Sequence, residues 1–419
     1  MHNVKDFGAV GDGKTLDTAA IQAAIDAGGM VLFPPGVYLS GTLFLRSNGG
    51  LNLEPGAVIL ASPDKEDYNR DDFSPDNHIY ETEAVSGAHL IIGHNVENVT
   101  ICGGGRIDGN RGGFYELPEN IVCGYETIDW RPAQMIFFLH CSRISLSGVE
   151  LTNSPYWSCF LCDVCEAQVH ALRIKNPMAT PNGDGLDLEN CKKVTVSDCI
   201  IETGDDCIAI RSTTHFGCKE PVTENIVITN CILTTVCNAV RIGVADGTIR
   251  NILMNNCSII GSRTGFCICT QYWENTCCLI EDCRFTNLQI EASRPFSLHS
   301  NAWGRTYGAV TKKMQNLVFA GIYGSTDTGN LIDAYDRGDI CNITFDDVNL
   351  TCSAPPAGTV LQDEDFDFTE RTDNAPACAW LVRNAENITF RNCKVAWKAP
   401  LPPFDRELIS VNSDINGGF

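Results

Sequence analysis

The stretch "ENIVITNCI", residues 224–232, indicates the fold of this chain, because close variants of it recur along the sequence. Each variant starts with a polar residue or Asn, continues with a short run rich in β-branched residues and ends in a turn. The other copies are "ENVTICGGG" (97–105), "SRISLSGVE" (142–150), "KKVTVSDCI" (192–200), "RNILMNNCS" (250–258), "CNITFDDVN" (341–349) and "ENITFRNCK" (386–394). Counted from the first apolar residue, several starts are 25 or 26 residues apart, as are Ile144, Val169 and Val194 or Ile226 and Ile252, with longer steps elsewhere.

A repeat of this length made of short strands indicates a β-solenoid, in which coils stack because none can bury its own apolar side. The sequence therefore predicts an all-β, single-stranded parallel β-helix forming a single domain over residues 1–419. The exception is "TLDTAAIQAAIDAGG" (15–29), whose capping residues, helical spacing and Gly-Gly stop predict a short helix. We expect this helix to cover the open end of the solenoid, within an N-terminal cap region of residues 1–30.

The 22 cysteines are explained by their positions in the repeat. Five of them stand five residues after the first apolar residue of a copy, if one copy is taken to begin at Cys278. They are Cys199, Cys231, Cys257, Cys283 and Cys393. Because free cysteine packs well as a small apolar side chain, we predict an interior ladder and not a network of disulfides.

The charge of the chain excludes some classes of partner. The formal net charge is −22, whereas binding to nucleic acid or to an anionic membrane requires a basic face. The first residues, "MHNVKDFGAVGDGK", contain no apolar stretch of the signal-peptide type, and no run of about 18 apolar residues occurs anywhere. We therefore expect a cytoplasmic protein, or a secreted one if a leader is missing from this sequence.

The stretch "GAVGDGKT", residues 8–15, matches the phosphate-binding loop pattern letter by letter. That loop needs a buried parallel strand before it, and only "NVKDF" precedes. We interpret the stretch as a Gly-rich turn that leads into the capping helix.

Four aspartates crowd into "PNGDGLDLENCKKVTVSDCIIETGDDC", residues 181–207: Asp184, Asp187, Asp205 and Asp206. Asp184 and Asp206 are 22 residues apart, which is close to one coil, and equivalent positions on stacked coils lie about 4.8 Å apart. Clustered carboxylates repel, so at least one is expected to hold a proton while its neighbours stay ionised. An acid beside a base is what glycoside hydrolysis needs. A calcium site and turn-forming aspartates are the alternatives.

A resemblance to a known family is carried by the motifs "NSPYW" (153–157), "PNGDGLD" (181–187), "GDDCIAIRS" (204–212) and two upstream stretches. By these motifs the chain resembles glycoside hydrolase family 28, the polygalacturonase family. The upstream stretches are "FGAVGDGKTLDTAAIQAAI" (7–25) and "FPPGVYLSGTLFLRSN" (33–48). The resemblance implies a right-handed parallel β-helix and inverting hydrolysis of an oligo- or polysaccharide, with no cofactor. It implies Asp205 as the general acid and Asp184 with Asp206 as the pair that activates water. Asp187 matches a second, supportive Asp.

The sequence departs from the family pattern where the family keeps basic residues. At the Gly-His-Gly motif it has Cys237-Asn238-Ala239, and at the Arg-Ile-Lys motif it has "TGFCICT" (264–270), with Cys267 and Cys269 in place of the two cations. Those cations grip a galacturonate carboxylate in the family. The expectation is therefore a neutral or non-galacturonate sugar. A galacturonan hydrolase with a rearranged subsite, a polysaccharide lyase and a non-catalytic carbohydrate-binding β-helix are the alternatives.

The candidates for holding the sugar are polar side chains of these motifs, one surviving cation and aromatic side chains that can stack on sugar faces. They are Asn182, Asp187, Asn238, Arg241, Trp157, Tyr272 and Trp273. For each aromatic residue, ordinary packing is the alternative. Insertions at residues 64–87 and 353–377, the latter an acidic loop, suggest the hypothesis that one end of the groove is walled off.

A zinc site is a further hypothesis. Cys267 and Cys269 are two apart on a predicted strand and so point the same way, and Cys237 lies about one coil earlier. Three thiolates with a carboxylate can bind zinc tetrahedrally. The general abundance of cysteine in this chain favours packing instead.

Overall fold

The computed structural model describes residues 1–69, 74, 86–116, 128–272, 276–300, 312–353, 378–398 and 406–419. Within these residues nearly all regular structure is short parallel strands, and the one α-helix is α1, Thr18–Asp26. The 3₁₀ turns among the described residues lie at Val4–Phe7, Lys65–Asp67 and Arg111–Gly113. The prediction of an all-β chain is confirmed.

The chain divides into two units. The first unit is Met1–Ala209, Thr214–Lys219 and Ile226–Ile232, and the second is Ile210–Thr213, Glu220–Asn225 and Leu233–Phe419. No helix in the described part of the chain is long and apolar enough to cross a membrane. The single domain over residues 1–419 stays a prediction.

The strands of the first unit pair in parallel with strands about one coil away, as Ile144 with Ala167 and Ala167 with Val194. They are β1 His2–Asn3, β2 Asp12–Leu16, β3 Met30–Phe33, β4 Gly36–Ser40, β5 Leu43–Phe44, β6 Gly49–Leu53, β7 Ala57–Ala61, β8 Ile91–His94, β9 Glu97–Gly103, β10 Arg106–Asp108, β11 Ile136–Ser147, β12 Glu150–Thr152, β13 Cys159–His170, β14 Arg173–Lys175, β15 Leu186–Glu189, β16 Lys192–Ser197 and β17 Ile200–Thr203. Three strands have residues in both units: β18 Ile208–Ser212, β19 Val222–Thr229 and β20 Ile232–Thr235.

The second unit repeats the same parallel pairing, and its core carries a stack of aromatic rings. Its strands are β21 Asn238–Ala245, β22 Thr248–Cys269, β23 Leu279–Glu281, β24 Arg284–His299, β25 Met314–Thr326, β26 Asn330–Asp333, β27 Ile340–Cys352, β28 Cys378–Arg383, β29 Glu386–Arg391, β30 Lys394–Trp397, β31 Arg406–Val411 and β32 Ile415–Gly417. Phe285, Phe319, Phe345 and Phe390 stack in register, with successive ring centroids 4.8, 5.1 and 5.2 Å apart.

The Asn that opens many copies of the repeat makes a turn. In the second unit Asn251, Asn316, Asn342 and Asn387 all have left-handed backbones, with φ between 51° and 59°. Asn tolerates this conformation better than other residues with a side chain. Their side chains also join coils, because the Asn342 amide donates to Asn316 Oδ1 at 3.2 Å and the Asn387 amide to Asn342 Oδ1 at 2.8 Å.

The predicted cysteine ladder is confirmed in part. In the first unit Cys199 and Cys231 are buried and each thiol donates to a backbone carbonyl oxygen at 3.3 Å, and in the second unit Cys257 pairs with Leu288. Cys283 is the exception: Arg284 pairs with Val318, so Cys283 lies beside Leu317, in the position of a first apolar residue. The prediction that this coil begins at Cys278 was therefore wrong by five residues. Residues 279–281 form the separate strand β23, which the repeat pattern does not reveal.

The helix α1 has the predicted place and packs on β3 and β5. Asp17 precedes it, but its carboxylate makes no cap and instead accepts from the Val10 and Gly11 amides at 2.7 and 2.9 Å. This carboxylate lies against the turn of residues 8–11. The interpretation of residues 8–15 as a Gly-rich turn holds for residues 8–11, whereas residues 12–15 belong to the strand β2.

A buried histidine in the first unit makes stability depend on pH. His89 is fully buried, with Nδ1 3.0 Å from the Gln134 carbonyl oxygen and its ring 5.0 Å from that of Phe137. Burial lowers the pKa of His89 from 6.5 to about 4. Since the folded pKa lies below the unfolded one, the unfolded chain binds more protons between these values. Stability is therefore expected to fall as the pH drops from about 6.5 to about 4, by about 3 kcal/mol in total.

Urea unfolding of the wild type, of His89→Gln and of His170→Gln between pH 6.5 and 4.5 checks this. His170 is the control because its side chain is 57 % exposed. We expect the pH slope of the unfolding free energy to flatten in His89→Gln only. Equal slopes in all three proteins would contradict the assignment.

Candidate active site

The aspartate cluster lies in two turns of the first unit. Asp184 lies in the turn before β15, and Asp205 and Asp206 lie in the turn after β17. The Gly185 amide donates to the Asp206 carbonyl at 2.9 Å and the Leu186 amide to the Cys207 carbonyl at 3.0 Å. Residues 184 and 206 therefore lie side by side on neighbouring coils, as their spacing in the sequence predicts.

The second turn brings two carboxylates to one place. Carboxylate oxygens of Asp205 and Asp206 lie within 4.8 Å of each other. Thr203 Oγ1 donates to the Asp205 carbonyl at 2.7 Å, and the Asp206 amide donates to Asp205 Oδ1 at 2.9 Å. Asp184 and Asp206 are 5 % and 6 % exposed, whereas Asp205 is half-buried. Asp205 is thus the more accessible acid, which suits a group that must reach a leaving oxygen.

Gly204 is needed for this turn to pack. A Cβ atom at Gly204 would lie 2.6 Å from the Thr180 carbonyl oxygen and 2.9 Å from that of Met178. These carbonyls belong to the segment that leads to Asp184. The glycine therefore lets the two aspartate turns approach closely.

Arg131 holds the segment before Asp184 in place, and the sequence analysis missed it. Its Nη1 donates to the Pro155 carbonyl at 3.0 Å and to the Pro181 carbonyl at 2.7 Å, and its Nη2 donates to Asn182 Oδ1 at 2.9 Å. The guanidinium also lies 4.6 Å from the ring centre of Tyr156. Arg131 is only 3 % exposed. Asn182, predicted to bind substrate, is thus a partner of this arginine.

Asn176 is a second supporting residue that the sequence analysis missed. Its Oδ1 accepts from the Ser154 amide at 3.0 Å, and its Nδ2 donates to Ser158 Oγ at 2.7 Å. The Ser158 amide in turn donates to the Asp184 carbonyl at 2.9 Å. The buried side chain therefore joins the "NSPYW" turn to the turn of Asp184. Neither Asn176 nor Arg131 stands in a recognisable motif, because the groups that each one binds are distant from it in the sequence.

Two predicted substrate-binding residues of the first unit are buried. Trp157 is 1 % exposed and stacks on Tyr156, with centroids 5.1 Å apart, so the packing alternative applies to it. Asp187 is 0 % exposed and pairs with Phe160 on the neighbouring strand. Burial, and then the nearby Asp187, raise the pKa of the Cys159 thiol. We assign Asp187 to the support of the site, because substrate cannot reach it in this structure.

The predicted binding residues of the second unit lie on β21 and after β22. Asn238 is buried and donates from Nδ2 to Cys237 Sγ at 3.2 Å. Arg241 pairs with Cys267 on the next strand and lies 5.5 Å from the ring centre of Tyr272. Trp273 lies outside the described residues.

The three thiols of the zinc hypothesis have other neighbours. Arg263 Nη2 lies 3.0 Å from Cys237 Sγ, and His299 Nε2 lies 3.6 Å from Cys267 Sγ. In the part of the chain that the structure describes, Cys237, Cys267 and Cys269 do not gather into a group with ligand spacing. The trio of thiols predicted from the sequence is therefore not such a group, and zinc binding stays a hypothesis.

The second unit also buries more positive charge than the motif positions suggest. Arg211, Arg241 and Arg294 are 5 %, 5 % and 8 % exposed. The two basic motifs of the family point to Arg241 alone, because Arg211 and Arg294 lie outside them. Buried arginine is rare unless it is paired with anions or hydrogen-bond acceptors.

Parallel coils with a trio of carboxylates in two stacked turns fit the class of carbohydrate-cleaving β-helix proteins. The model of "Glycosyl hydrolases family 28" matches residues 72–363, and the chain belongs to this family. A second model, "Rhamnogalacturonase A/epimerase, pectate lyase-like", matches residues 1–50. The chain thus belongs to a family of glycosidases, and the resemblance seen in the sequence is confirmed.

The relatives agree with this assignment. A probable polygalacturonase of Vitis vinifera is 32 % identical over 218 residues, which cover 49 % of this chain and 43 % of that protein. A probable polygalacturonase of Arabidopsis thaliana is 26 % identical, covering 86 % of this chain and 76 % of that protein. The chain thus spans less than half of the length of the first of these relatives.

Solved structures show the same fold. The family 28 exopolygalacturonase of Yersinia enterocolitica superposes with a TM-score of 0.72 at 18 % identity, covering 99 % of this chain and 77 % of that one. A hyperthermoactive exopolygalacturonase from Thermotoga maritima has a TM-score of 0.65 at 19 % identity, covering 100 % and 92 %. The predicted right-handed parallel β-helix is confirmed.

Proposed function

We propose that this protein hydrolyses galacturonan or its fragments with inversion of configuration, with Asp205 as the acid. Asp184 and Asp206 activate the attacking water. The observation that carries the hydrolysis is the stacking of residues 184 and 206 on neighbouring coils, with the carboxylate of the more accessible Asp205 within 4.8 Å of that of Asp206. This separation is shorter than the roughly 6.5–9.5 Å usual for inverting pairs, so inversion is proposed from membership of the family and not from the distance. An inverting glycosidase needs one carboxyl group to protonate the leaving oxygen and another to accept a proton from water.

The choice of a uronide over the neutral sugar expected from the sequence rests on two observations. The curated relatives are polygalacturonases. The second unit also keeps an arginine, Arg241, beside the position where the family motif has lost its cation to Cys267. A guanidinium has five N–H donors in a planar fork and remains able to bind a carboxylate while it lies against an aromatic ring. Arg241, placed against Tyr272, is therefore the proposed partner of the galacturonate carboxylate.

Arg241→Gln tests this assignment. A hydrogen bond to a charged group contributes about 1.5–3 kcal/mol, so we expect KM for oligogalacturonides to rise about 10- to 100-fold with a smaller change in kcat. Reducing-end assays on oligogalacturonides and on neutral oligosaccharides of equal length provide the measurement.

The matched control is Arg250→Gln, an arginine of the same unit that pairs with Glu224 and has a 43 % exposed side chain. It should leave KM unchanged. Cleavage of the neutral oligosaccharides in preference to oligogalacturonides by the wild type would contradict the uronide assignment and restore the neutral sugar.

A further inference from the structure

The row of turns that holds the acids continues into aromatic residues on one side. The Ser158 amide donates to the Asp184 carbonyl and the Met135 amide to the Trp157 carbonyl, both at 2.9 Å. Trp157 therefore lies beside Asp184 on the preceding coil. A sugar chain that extends from the acids in this direction meets Trp157 first.

The sheet face next to this row is also aromatic. Phe137 pairs with Phe160, and Phe160 pairs with Asp187, so the three side chains share one face of β11, β13 and β15. Alternation places Leu186 and Leu188 on the opposite face, which is the apolar interior. The face with Phe137 and Phe160 is therefore the outer one, and a sugar chain that extends from the acids toward these strands would have to lie on it.

This outer face is already covered. Phe216, in the segment Thr214–Lys219, lies with its ring centroid 5.6 Å from Phe137 and 5.6 Å from Phe160. Trp157 packs edge-on against Phe160 at 5.3 Å. All four side chains are at most 1 % exposed. We call these four residues, Phe137, Trp157, Phe160 and Phe216, the aromatic plug.

Displacing the aromatic plug to admit a sugar chain would be unfavourable in free energy. Exposing a buried aromatic or large aliphatic side chain costs about 1.5–3 kcal/mol, and a hydroxyl-rich chain offers little apolar surface in exchange. Cyclic packing of the rings adds stabilisation beyond the buried area.

We propose that the aromatic plug ends the substrate groove beside Asp184, so that the enzyme cleaves from a chain end and releases a product of one short length. This inference rests on the proposed function and adds its mode of action. It does not use the predicted insertions at residues 64–87 and 353–377, since most of those residues lie outside the described part of the chain. The aromatic plug consists of other residues.

The experiment follows the earliest products from long galacturonan and from oligogalacturonides labelled at the reducing end. The wild type is expected to release one product length, from one end only, from the first time points. Phe216→Ala removes the ring that covers the outer face, and we expect a shift to several product lengths. Phe216→Leu, which keeps an apolar cover, should retain the single length.

The outcomes separate the two proposals. A spread of lengths from the wild type at early times overturns the plug, while the cleavage itself supports the proposed function. An unchanged single length from a folded Phe216→Ala also overturns the plug as the cause. The wild-type result stands by itself if Phe216→Ala does not fold, because the labelled substrates report the end of attack. Absence of any galacturonan cleavage overturns the proposed function.

Discussion

Replacing Asp205 with Asn is expected to lower kcat by about 10²- to 10⁴-fold, because an amide cannot give a proton to the leaving oxygen. KM is expected to change little, since the shape of the turn is kept and the amide still accepts the hydrogen bond that the Asp206 amide donates to Asp205 Oδ1. The remaining rate would come from binding and from the other two carboxylates.

The measurement is the steady-state rate of reducing-end release from oligogalacturonides, with Asp198→Asn as the control. Asp198 belongs to the same unit and has a 46 % exposed side chain that lies 3.3 Å from His170. It should behave as the wild type. A folded Asp205→Asn protein that keeps more than a tenth of the wild-type kcat would remove Asp205 from the role of acid.

Replacing Arg131 with Met is expected to lower both activity and stability. The guanidinium donates three hydrogen bonds to the segments around Pro155 and Pro181, and each bond from a charged donor contributes about 1.5–3 kcal/mol. We expect the free energy of unfolding to fall by about 3 kcal/mol. We expect kcat to fall by about 10²-fold, because a displacement of about 1 Å at Asp184 is enough for such a loss.

A purely structural role would not move the pH profile of kcat, so this profile is the decisive readout for Arg131 as a positioning residue. Arg131→Lys, which keeps the charge and one of the donors, should recover part of kcat. The control is Arg143→Met, since Arg143 pairs with Glu97 and its side chain is 47 % exposed. Wild-type kcat and an unchanged pH profile in folded Arg131→Met would contradict the positioning role.

The fold was predictable because the spacing of the repeat gives the length of one coil. One short strand and one Asn turn recur at the spacing of a coil, so stacking follows from the need to bury apolar faces. The same argument brought Asp184 and Asp206 together, since positions one coil apart become neighbours in space. It failed at Cys283, where the separate strand β23 shifts the register by five residues.

The supports of the site were not predictable in this way. Arg131 donates to the carbonyl oxygens of Pro155 and Pro181. Every residue type has a backbone carbonyl, so such contacts cannot be recognised from the residue types of the partners. Trp157 lies beside Asp184 as a substrate-binding residue would, yet the ring of Tyr156 and the neighbouring phenylalanines bury it. Exposure depends on packing from distant segments such as Thr214–Lys219.

The cytoplasmic location stays a prediction.

The proposed hydrolysis by three aspartates inverts the configuration at the cleaved bond, and the configuration of the first product is the decisive measurement. Proton NMR of oligogalacturonide digestion, recorded before mutarotation, distinguishes the anomers of the new reducing end. We expect the product to appear first as the β anomer, opposite to the α linkage that is cleaved. A product that appears first as the α anomer, or that carries a new carbon–carbon double bond, would contradict it.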